Sequence, residues 1–169
     1  MPVTFPAWYK GGFPDRELVV MDLLQPFLNL LTPQGVAVQY RSAGYDADVA
    51  AGGILVRVYR GGGAADPACL RDPASVQLAA ITQSRQMSWD VIEYCRQMML
   101  SYQSGGPVHM ADNTFIEVDA VWEILGPQEI PEDNPDERIV PLTFGVECRK
   151  HIIVPDYQRV REDLGIHQP

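Results

Sequence analysis

Along this chain the spacing of apolar residues changes between a period of two and a period near 3.6, and the changes mark out its elements. Ile54, Val56 and Val58 fall on one face of a strand, with Arg57 and Tyr59 on the other. A second strand follows, in which Val76, Leu78 and Ala80 alternate with Ser75, Gln77 and Ala79. From Ser84 the helical period takes over. Met87, Val91, Tyr94, Cys95, Met98 and Tyr102 form one predicted stripe, with Ile92 and Met99 on its flank. Strand, loop, strand and helix from Gly53 to Tyr102 make the central unit.

Upstream, Asp15 is placed to cap a helix running to about Leu31, with Val20, Met21, Leu24, Phe27, Leu28 and Leu31 as its buried stripe. Pro26 lies on the opposite side, where it kinks rather than ends the helix. Val36 to Tyr40 predicts a short strand, and Ser42 to Gly53 a turn region. The connection from Gly61 to Pro73 is too long and too rich in Gly and Pro for a tight hairpin, so a mobile loop is expected. Downstream, Phe115 to Leu125 is the longest strand. Strict alternation there puts Ile116, Val118, Ala120, Trp122 and Ile124 on one face and Glu117, Asp119, Val121 and Glu123 on the other. Ile139 to Lys150 closes the domain, with Glu147 outward.

The expected order is helix, three strands, helix, two strands. That is an α+β domain, with a mostly antiparallel sheet and two main helices packed on one face. Residues 1–14, with Phe5, Trp8 and Tyr9 among prolines and glycines, read as an extended arm. Residues 15–150 are the domain, and 151–169 a tail.

Composition narrows the function. A length of 169 residues suits one domain with a real core. No apolar run approaches the roughly 18 residues of a membrane span, and no signal-peptide pattern opens the chain. Cys69, Cys95 and Cys148 are odd in number and widely spaced, which points to reduced thiols in a cytosolic setting. The net charge of -9 argues against gripping nucleic acid through phosphates.

Candidate chemistry is sparse. Gly61, Gly62 and Gly63 are not followed by the Lys-Ser/Thr of a phosphate loop. His109, His151 and His167 have no Cys or His at metal-ligand spacing. Glu132, Asp133, Asp136 and Glu137 lack the pattern of a calcium loop. No cofactor or metal is therefore expected. Glu117, Asp119, Glu123 and Glu147 read first as a solvated sheet face, and second as the wall of a channel that repels a polyanion. Trp89, Arg96 and Leu100, with Glu93 beside them, lie opposite the predicted helical stripe. Trp and Arg exposed together are enriched at protein interfaces, so a subunit contact is expected there, with cover by a second layer of the same subunit, such as the N-terminal arm, as the alternative.

One combination of motifs is familiar. A helix leads into a strand ending Val56-Arg57-Val58-Tyr59-Arg60-Gly61-Gly62; Asp72-Pro73, a strand and a helix opening on Ser84-Arg85 follow. A long strand, an acidic loop and the closing run Thr143-Phe144-Gly145-Val146-Glu147-Cys148-Arg149 complete the pattern. Over about residues 15–150 this resembles the tail terminator, or tail completion, proteins of long-tailed bacteriophages, especially phages of actinobacteria. The resemblance implies a structural virion protein without catalytic residues. It implies a ring, usually hexameric, that caps the tail tube, stops its growth and meets the head-tail connector protein. The expected partners are thus other copies, the tail tube protein and the connector, with DNA passing the lumen without specific binding. On that picture Glu117, Asp119, Glu123 and Glu147 line the lumen. Gly61, Gly62, Gly63, Asp66 and Arg71 form a loop that orders on a partner. Another neck component, or a small ligand-binding or enzymatic domain, are the alternatives.

Overall fold

The computed structural model describes residues 3–9, 11–40, 43–66, 71–128, 139–149 and 156–166. Its elements are α1 (Arg16–Leu28), β1 (Gly35–Val38), α2 (Tyr45–Ala50), β2 (Ile54–Gly63), β3 (Arg71–Ile81), α3 (Arg85–Leu100), β4 (Gly106–His109), β5 (Phe115–Leu125), β6 (Ile139–Arg149) and α4 (Tyr157–Asp163). The strands form one six-stranded sheet in the order β1-β2-β3-β6-β5-β4. The β1–β2 pair is parallel and the other pairs are antiparallel. The fold is α+β.

Period-two apolar residues from β2, β3 and β6 supply the sheet's buried face: Val56, Val58, Val76, Leu78, Leu142, Phe144 and Val146. They form one core with Val19, Val20, Leu23, Leu24 and Leu28 of α1 and with Val91, Ile92, Cys95 and Met99 of α3. Asp15 caps α1 through the Glu17 amide, and Ser84 caps α3 through the Met87 amide. Pro26 sits on the exposed side of α1.

The buried stripe of α3 is rotated from the predicted one. Ser88, Val91, Ile92, Cys95 and Met99 are buried, while Met87, Tyr94 and Met98 are only half-buried. Ser88 is the cause. Its hydroxyl accepts the Thr82 amide at 3.1 Å and lies 3.0 Å from the Thr82 hydroxyl, so a polar residue is satisfied inside and carries the helix face with it.

Three elements differ from expectation. Residues 45–50 form helix α2 rather than a turn, with Tyr45 and Val49, one turn apart, packed on Ile81. Six residues are too few to show a period. The four residues of β4 pair beside β5 where no strand is expected, and α4 lies within the tail.

At the base of α1 lies a buried cation that periodicity does not reveal. Arg16 is fully buried, and its guanidinium pairs with Asp72 at 3.1 Å. It also donates to the backbone carbonyls of Asp72 at 2.9 Å and Pro14 at 2.8 Å. A cation in the first turn opposes the helix dipole, so its place is fixed by these long-range partners rather than by helix propensity. Arg60 holds the second Asp72 oxygen at 3.0 Å.

Candidate functional site

The residues proposed for assembly come from α3, from β5 with β6, from the β2–β3 hairpin and from the arm. On α3, Trp89 packs partly against the core, with Arg85 over its ring at 5.7 Å. Arg96 reaches across to β5, where its guanidinium meets Glu123 at 2.6 Å and 3.1 Å. Glu93 holds the same guanidinium at 3.1 Å. Of the four helix residues, Leu100 is the one classed as exposed. Trp89, Glu93, Arg96 and Leu100 are therefore the rim of a brace between α3 and β5, with Leu100 projecting from it.

That brace exists because β5 does not alternate strictly. Val118 lies opposite Cys148, but Ala120 lies opposite Glu147, which leaves Asp119 as a bulge. The extra residue moves the side chains from Ala120 to Glu123 to the other face, up to a second bulge at Ile124. Val121 and Glu123, expected outward, turn to the helix side. Trp122 and Ile124, expected to share a face with Val118, are 40% and 47% exposed. The four carboxylates thus do not share one face. Glu123 belongs to the Arg96 brace, while Glu147 pairs with Arg71 at 3.2 Å and Asp119 with Arg149 at 2.8 Å. Glu117, before the bulge, stays on the face away from the helices, opposite Pro107.

Gly145 answers Trp122. A Cβ at position 145 would land within the indole ring, so the glycine makes room for the tryptophan on the sheet face.

The glycine-rich segment also departs from a loop. Gly61, Gly62 and Gly63 are strand residues of β2, and Arg71 opens β3. A register shift between Arg60 and Gly62 leaves Gly61 as a bulge, and Asp66 bridges back to Arg71 through backbone bonds of 2.7 Å and 3.1 Å. Gly63 has φ +133° and lies so close to Pro73 and Ala74 that a side chain would meet their backbone. The paired strands reach further along the chain than its composition suggests, because glycine permits this close antiparallel approach. In the arm, the Phe5 and Tyr9 rings meet at a tilt of 39° with centroids 4.8 Å apart, and Trp8 meets Tyr157 of α4 edge-on at 6.4 Å.

Reactive groups do not converge. Cys95 and Cys148 are free thiols. Burial pushes Cys95 up to about 12. Burial likewise raises Cys148 to about 11, against the lowering effect of Arg16. Both are protonated near neutrality and poor nucleophiles. Alkylation at about pH 8 is expected to label neither in the folded chain and both after denaturation, read by peptide mass spectrometry. Labelling of Cys95 at the denatured rate would show an open core. Since the core favours the thiol form, its contribution is fully present below the unfolded value of 9.0 and is lost as pH climbs through about 11 to 12. Among the described residues no group of three His, Cys, Asp or Glu side chains is placed to hold a metal, and no helix is long and apolar enough to cross a membrane. Cys69, His151, His167 and the acidic cluster at Glu132 to Glu137 lie outside the described residues.

The sheet is thus braced to α3, and Trp122, Ile124 and Leu125 leave apolar side chains exposed along β5. The family model described as phage tail termination protein matches residues 12–154, and the chain belongs to that family. It is accordingly a structural component of a phage tail. No curated protein matches the chain.

Proposed function

We propose that this chain ends tail polymerisation by forming a ring, of six copies on the family resemblance, at the head-proximal end of the tail tube. It then offers the head-tail connector a surface to join, and it catalyses no reaction. The family match across residues 12–154 carries this reading. A head-to-tail ring requires two different faces on each subunit. One is the rim of α3 with Leu100; the exposed Ile124 and Leu125 at the end of β5 add apolar surface.

Assembly takes place in the host cytoplasm, where the two buried cysteines stay reduced. The sheet face away from the helices, with Glu117, Asp119 and Glu147, lines the lumen. Arg71 and Arg149 on it are matched by Glu147 and Asp119, so those two cations are not free to hold phosphates. Gly61, Gly62, Gly63, Asp66 and Arg71 sit on the β2–β3 hairpin, which contacts the tube or the connector.

Leu100→Asp places a charge in the rim without touching the core. Native mass spectrometry is expected to show six-subunit rings for the unaltered chain and mostly monomers for the variant, with thermal melting unchanged. Rings of normal yield from Leu100→Asp would remove this face from the contact.

A further inference from the structure

The two sides of the sheet are finished differently. At β1 the outer edge is closed by a side chain. The Gln25 amide donates to the Gly35 carbonyl at 3.0 Å and accepts the Ala37 amide at 3.0 Å, much as a neighbouring strand would. Capping of this kind keeps an edge from pairing with another chain. On the other side β4 covers β5 only from Phe115 to Val118. Beyond that, Ala120–Glu123 stay in regular register with β6 between the bulges at Asp119 and Ile124. Among the described residues, their far edge bonds to no other strand or side chain. A row of unpaired backbone donors and acceptors is satisfied by one kind of partner, an extended peptide segment.

The chain itself carries such a segment. Val3–Pro6 lie outside every helix and strand, and the turn that the Tyr9 amide closes onto the Pro6 carbonyl at 2.9 Å marks their end. Val3 and Phe5 would share one side of an added strand, and they are 75% and 60% exposed. Four extended residues span about 13 Å, the length of the open stretch. Pro6 lacks a donor, which an outermost strand tolerates. Trp122, on the open stretch, presents an exposed indole for an aromatic or aliphatic cross-strand neighbour.

We propose that Val3–Pro6 of one copy add as a strand to the Ala120–Glu123 edge of the next. The capped β1 edge excludes edge-to-edge pairing there, so the exchange runs head to tail, as a ring requires. The pairing rests on the ring reading above. The arm residues Val3–Pro6 lie outside the stretch matched to the family, residues 12–154.

Hydrogen exchange of the Ala120–Glu123 amides tests it in the full chain, dilute and assembled. Assembly is expected to slow the most protected of these amides by about tenfold or more, as a new sheet bond does. In a mixture, an isotope-labelled Val3→Asp/Phe5→Asp chain should gain this protection from unlabelled wild-type neighbours. Rings made only of that variant should lack it. Rings in which these amides exchange as in the monomer would overturn the pairing while leaving the ring intact. Protection that is the same at every dilution would overturn it too, because the arm would then be folding onto its own subunit. So would protection retained in all-variant rings. Should no ring form at any concentration, a synthetic peptide of residues 1–9 added to the full chain replaces the neighbour. Protection then supports the strand site, and its absence overturns it.

Discussion

Replacing Arg16 with methionine is expected to cost about 3–5 kcal/mol, because it leaves the Asp72 carboxylate buried with one of its two guanidinium partners gone. For a chain of this size that lowers the melting midpoint by on the order of 10 °C. The loss should exceed that of any surface ion pair in the molecule, such as Arg149 with Asp119, since Arg16 also gathers the carbonyls of Pro14, Asp72 and Cys148. Through them the first turn of α1 is fixed to β3 and β6, whose central residues form the core. Arg60→Met, which removes the half-exposed partner, should cost less than half as much. Circular dichroism melts of the two variants decide it, and equal losses would contradict the ranking.

The second large effect is expected at Gly105. Its φ of +80° lies in the left-handed region, and a Cβ there would sit 2.5 Å from the Val118 carbonyl oxygen and 2.6 Å from that of Asp119. Gly105→Val combines backbone strain with a collision against backbone that cannot rotate away, for about 2–4 kcal/mol. The carbonyls it strikes flank the bulge that turns Glu123 toward Arg96. Chemical denaturation should show the loss, and amide spectra should change along β5 as well as at the substituted turn. A melt within 1 °C of the unaltered chain, roughly the error of the measurement, would show that the turn has room to move.

What the sequence discloses, and what it hides, follows from how local each signal is. The faces of β2 and β3 are legible because Ile54, Val56, Val58, Val76 and Leu78 keep strict alternation through strands paired on both sides. The caps at Asp15 and Ser84 are legible because capping is local chemistry. A bulge is not. Asp119 looks like any alternating residue until the partner strand is laid beside it, so every face assignment from Ala120 to Glu123 inverts. This is why the acidic wall that four carboxylates seem to form is broken: Glu123 joins the helix brace, while Asp119 and Glu147 enter ion pairs. The triple glycine misleads in the opposite direction, since composition suggests a loop where close strand pairing requires small residues. Arg16 gives no signal at all, because its partner lies 56 positions away. Resemblance to a family reached further than periodicity, since it depends on the order of elements rather than on the facing of each side chain.

The account's central claim is that this protein stops a growing tail tube by capping it. Purified chain added to tail tube protein during polymerisation tests that most directly, with tube lengths read by electron microscopy. The account predicts that elongation halts, that the length distribution shifts short, and that a single layer of extra density sits at one end of each tube. Tubes that lengthen as they do without the chain, with both ends bare, would contradict it.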